Sequence, residues 1–144
     1  MKDQNLKNHA RIHPPYHYVG TLFVLFTLVG SIINLILALK NNSGTLGAGV
    51  ILTGAVSILL LFVLVRVYSM KVQDRVIRSE ENFRHYLLTN TTLDPRLAMK
   101  QIIALRFASD EEFPALCKKA VEKNLKPAEI KNEIQNWKAD HYRV

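Results

Sequence analysis

The chain has a single cysteine, Cys117, so no disulfide can form within it, and a reducing compartment is the environment that fits. Cys117 lies at helical spacing with Phe113, Leu116, Ala120 and Val121, which marks it as a small buried hydrophobe. Glycine is scarce, and proline is missing altogether between Leu46 and Leu88, so nothing there interrupts a helix. Period-2 apolar alternation is also lacking, which argues against a sheet and for an all-α fold. No phosphate-binding glycine loop, nucleophile elbow, paired Cys-x-x-Cys or His-Glu-x-x-His occurs anywhere. An enzyme is therefore not expected, and no cofactor or metal is implied.

Charge is absent from two long stretches. Val19–Leu39 has twenty-one residues without a charged side chain, long enough to span a bilayer as a helix. Its length, with no small-residue cleavage site after it, separates it from a signal peptide. Lys40–Thr45 is a polar turn too short for anything but an immediate return. The next stretch, Leu46–Leu88, is uncharged up to Arg66 and charged every few residues beyond it. As one helix it would be about 65 Å long against a hydrocarbon core of roughly 30 Å, so it is expected to cross and continue as a stalk into water. The sequence thus predicts a surface segment over 1–18, spans over 19–39 and 46–67 joined by the turn 40–45, and a helical tail over 68–144. Of the nineteen Lys and Arg residues, three precede the first span, one lies in the turn and fifteen follow from Arg66. That bias places both termini in the cytoplasm.

The formal net charge of +7 is spread over both flanks instead of lining one helix face between aromatics, which speaks against nucleic acid. Anionic headgroups are the simpler partner. Arg11, Arg66, Lys71 and Arg75 flank the spans, and Tyr16 and Tyr18 fall where amphipathic rings settle at the interface. Pro14 and Pro15 should stop any short helix that precedes them. They also undercut the three-residue set His9, His13 and His17, whose spacing of four would otherwise suit a metal.

Small and polar residues stand out within the spans. Gly20, Thr27, Ser31, Asn34 and Ala38 share a seam of the first, and Asn34 is its one strongly polar side chain. The second carries two rows, Gly44/Ala48/Leu52/Ala55 and Gly49/Thr53/Ser57. One row is enough for a hairpin. The other is free for association between copies, with Asn34, Gly49, Thr53 and Ser57 as the expected contacts.

In the tail, Asp74/Arg78 and Glu80/Arg84 have the acid-first i, i+4 order of exposed ion pairs. Val72, Val76, Phe83 and Leu87 mark the face expected to hold the following helices. Asp94-Pro95 reads as a cap and first residue of a helix running to about Ala108. Ser109 and Glu112 read as a capping box, the hydroxyl on the Glu112 amide and the carboxylate reaching back. A last helix is expected from Pro127, with Ile130, Ile134 and Trp137 on one face.

Three blocks, QNLKNHAR, QIIALRFASDEE and IKNEIQNWKADHYRV, together with the two spans, resemble an uncharacterised bacterial family of short two-span membrane proteins with a basic helical tail. The resemblance implies a location and a fold and brings no activity. The reading is a membrane-anchored, self-associating interaction module with an unidentified cytoplasmic protein partner; the alternative is a small channel or an accessory subunit of a transporter.

Overall fold

The computed structural model describes residues 13–139, and their regular structure is helical apart from one isolated antiparallel bridge between Ala108 and Trp137. They divide into two compact units, one ending at Ser69 and one starting at Met70.

In the first unit, a turn of π-helix, Pro15–Gly20, runs directly into α1, Thr21–Lys40. The prolines open this helix, and the segment before them, where a helix was expected to stop, lies outside the described residues. Pro15 stands at the first position, where an amide has no intrahelical acceptor and its loss costs nothing. The turn after α1 uses left-handed backbone at Asn42 (φ 47°) and Gly44 (φ 70°). α2 then runs unbroken over Thr45–Thr89. Val24 and Ser31 of α1 and Ala48 and Ala55 of α2 are buried, so the row containing Ala48 and Ala55 is the one covered. Almost every large apolar side chain of this unit faces outward. Pro15–Lys40 and Thr45–Thr89 each form a helix long and apolar enough to cross a membrane.

The second unit is a soluble-type core. α3 is Met99–Leu105, α4 Phe113–Glu122 and α5 Pro127–Glu133. Phe107, Phe113, Ile102, Leu105 and Ile130 are fully buried, with Cys117 and Ala120 beside them. From α2 the buried apolar residue is Ile77. Val72, Val76, Phe83 and Leu87 are exposed, so the stripe expected to hold the tail faces away from it. The reason is that α2 meets the tail mainly through polar side chains, Glu81, Asn82, Arg84 and His85, which hydropathy does not count.

Helix ends differ from expectation in two places. Pro95 and Arg96 form a turn, and α3 starts only at Met99. Asp94 Oδ1 accepts the Arg96 amide (2.9 Å), an Asx turn in place of a helix cap. α5 stops at Glu133, and Trp137 reaches the core from extended chain. The Lys138 amide donates to the Phe107 carbonyl (2.8 Å) and the Ser109 amide to the Asn136 carbonyl (3.0 Å). These bonds take groups that a longer α5 would have used.

Candidate functional site

The sequence-marked residues of the first unit differ in burial and in partners. Tyr16 is half-buried, not a free interfacial ring. It stacks on Phe62 with ring centroids 4.3 Å apart and planes 5° from parallel, and its hydroxyl donates to the Phe62 carbonyl (2.8 Å). The Arg66 guanidinium lies 5.8 Å from the Tyr16 ring centroid, a cation–π contact. Gly20 permits the stack: a Cβ there would come within 2.9 Å of the Phe62 ring. Tyr18 is exposed. The His17 amide donates to the His13 carbonyl (3.0 Å), so that pair does sit on one helical turn, while His9 and Arg11 lie outside the described residues. Among the described residues no group of three metal-ligating side chains occurs.

Asn34 is exposed and has no hydrogen-bond partner among the described residues. Gly49 is half-buried, and Thr53 and Ser57 are exposed. Their hydroxyls donate to the carbonyls one turn back, Thr53 to Gly49 (2.9 Å) and Ser57 to Thr53 (2.9 Å). The row therefore offers a close approach of backbones and has its polarity already satisfied.

In the second unit the densest polar constellation centres on Arg84, whose side chain is 12 % exposed. Its guanidinium donates to Asp110 Oδ1 (2.6 Å), Glu81 Oε2 (3.0 Å) and the Ala108 carbonyl (2.7 Å), and lies 4.2 Å from the Phe113 ring centroid. Glu81 is its acidic partner on α2, not Glu80. Lys138 also reaches Asp110 (3.3 Å). Burial drives the Glu81 carboxyl above its ordinary value, and Arg84 offsets only part of that shift. Burial pushes Asp110 up too, but there the bonds from Arg84 and Lys138 win and hold it below its ordinary value. Sequence spacing showed Arg84 as a surface charge. Its partners at 106, 108 and 110 are more than twenty residues away and become visible only once the tail folds back.

The expected capping box is half made. The Glu112 carboxylate accepts the Ser109 amide (3.3 Å), whereas Ser109 Oγ is buried without a hydrogen-bond partner. Glu112 also accepts the Gln135 (3.1 Å) and Asn136 (3.2 Å) amides, and so ties the start of α4 to the chain after α5. A cavity of about 420 Å³ opens beside His85, Asp94, Arg96, Cys117 and Lys118. Its polar groups are largely engaged: Asp94 binds Arg96 (2.6 Å), and His85 Nδ1–H donates to the Thr91 carbonyl (2.8 Å). Burial pushes the Cys117 thiol up to about 12, so it stays protonated and unreactive at neutral pH. Lys71 and Arg75 are exposed on α2.

The whole-chain pattern of two long apolar helices followed by a small basic helical core is matched by one family model over residues 1–144. No curated protein and no solved structure matches the chain. The chain belongs to the family of unknown function DUF6526.

Proposed function

We propose that the protein is a membrane-anchored interaction module of the bacterial cytoplasmic membrane. In this reading α1 and the first half of α2 cross the bilayer as a hairpin, both termini lie in the cytoplasm, and copies associate to present their helical tails to a cytoplasmic protein partner. Arg11, Arg66, Lys71 and Arg75 meet anionic headgroups, each worth about 1 kcal/mol near a negatively charged leaflet.

The observation that carries self-association is Asn34. Its amide is exposed on α1, one helical turn from the buried Ser31, with no partner among the described residues. Lipid tails offer no hydrogen bond, so a second copy is the natural source of one, at about 1 kcal/mol per contact. The row of half-buried Gly49 and exposed Thr53 and Ser57 adds a surface on which backbones pack closely.

Chemical crosslinking of the full chain in its own membrane tests the reading. Captured oligomers are expected, and they should shrink on Asn34→Leu and on the double change Thr53→Leu with Ser57→Leu, while every variant stays inserted because leucine favours the bilayer. A wild type that is never captured sinks self-association. The same Asn34 amide would line a pore in the channel alternative, so ion flux in liposomes that is lost on Asn34→Leu would favour that function instead.

A further inference from the structure

We infer that the part of α2 beyond Met70 forms a parallel two-stranded seam with the same segment of a second copy. The inference deepens the self-association reading and rests on it. The tail helices occupy one side of this segment, through Ile77, Glu81, Arg84 and His85. On the other side Val72, Val76, Phe83 and Tyr86 are 61, 49, 63 and 49 % exposed.

Those residues are not scattered. With Ser79 they fall at 72, 76, 79, 83 and 86, steps of four, three, four and three, which is the spacing that keeps one seam of a helix facing a partner. The seam is about 21 Å long at 1.5 Å per residue, with one small polar residue among four apolar ones. On a soluble surface, a run of large apolar side chains at this period marks an interface.

Charge on the flanks selects the occupant and its direction. In a parallel pair, the residue just before one seam position faces the residue five places further along the partner. Arg75 precedes Val76, and Glu80 lies five residues on, so two identical chains bring Arg75 of each against Glu80 of the other, twice by symmetry. Neither residue takes part in an ion pair within the described residues of its own chain. Parallel direction is what the membrane imposes, because copies of one sequence insert with one orientation, and α2 continues as a single helix from Thr45 to Thr89.

The test uses full-length protein in membranes, each variant with one added cysteine placed by Val76→Cys, Phe83→Cys or, as an off-seam control, Arg78→Cys. Wild type is the background, since its Cys117 is buried. Mild oxidation should give disulfide-linked dimers at the two seam positions at least fivefold above the control. Glu80→Arg in the Val76→Cys background should cut the yield several-fold, and adding Arg75→Glu should restore it, a rescue that no merely structural role explains. The fluorescence of the single tryptophan, Trp137, packed 5.2 Å from the Phe107 ring, reports that the tail of each variant is folded. Amine crosslinkers capturing oligomers with no disulfide at 76 or 83 overturns the seam and leaves self-association standing. Disulfides formed only with other proteins overturn the second copy as occupant, and no captured species of any kind removes both readings.

Discussion

Arg84 shows how much one side chain organises in the tail. It satisfies the Ala108 carbonyl, neutralises Glu81 and Asp110, and covers the Phe113 ring. Removing one partner of a buried charge pair leaves the other uncompensated, which costs about 3 kcal/mol or more. Arg84→Met should therefore lower the unfolding midpoint of the tail by that order. The two acids should respond to pH in opposite directions. Glu81 has a folded-state pKa raised above its ordinary 4.5, so its charge destabilises the fold fully above the raised value and not at all below the ordinary one. Glu81→Gln should match or exceed wild-type stability at pH 7, with the difference closing as the pH falls below about 4. Asp110 is depressed below its ordinary 3.8, so its contribution is present at neutral pH and fades as the pH falls through the lower value. Asp110→Asn should be less stable than wild type at pH 7 and level with it in strong acid. A pH series of urea melts on the three variants reads all of this, and a Glu81→Gln deficit that is largest at pH 7 would contradict the assignment of burial as the stronger force on Glu81.

At the scale of elements, the tail helices share one device that is only half the expected cap. Gln101 accepts the Ala98 amide (2.8 Å), Glu112 the Ser109 amide and Glu129 the Lys126 amide (2.6 Å), each reaching back three residues. The sequence made only the middle one legible, because Ser-x-x-Glu is read as a pair and Ala-x-x-Gln or Lys-x-x-Glu is not. Even there the emphasis was misplaced. Ser109→Ala should change stability by less than about 0.5 kcal/mol, since among the described residues the hydroxyl does not cap the start of α4. Glu112→Ala should cost about 2 kcal/mol, because three amides from two segments lose their acceptor. Equal losses from both changes would restore the full capping box. The apolar face of α4 was readable, since Phe113, Leu116, Cys117 and Ala120 recur at helical period and are all buried. The early stop of α5 was not, because it depends on Glu112 and Phe107, far away in sequence. The outward-facing stripe on α2 was read as core for a related reason. Periodicity finds an apolar face and cannot say which neighbour covers it.

For the whole molecule, the two long apolar helices and the all-helical tail were legible because uncharged runs and proline-free stretches act locally, without help from tertiary contacts. Direction across a membrane is the remaining property written in local composition, and it rests on a count: three basic residues before the first span, one in the turn and fifteen from Arg66 onward. Each Lys or Arg held near the cytoplasmic face resists transfer, and short flanks weigh most, so Arg66, Lys71, Arg75 and Arg78 should anchor the end of the second span inside. The Arg66 contact with Tyr16 joins the start of the first helix to the end of the uncharged half of α2, which is consistent with both lying at one face of the bilayer. A fluorescent protein fused after Val144 should therefore fold and fluoresce, while a phosphatase active only outside the cytoplasm should be inactive there and active when inserted between Asn42 and Ser43. Adding four lysines to that turn and replacing Arg66, Lys71, Arg75 and Arg78 with glutamine should reverse or scramble both readouts, because the bias is then moved across the membrane. Phosphatase activity from the unaltered tail would place the second unit outside and take its cytoplasmic partner with it.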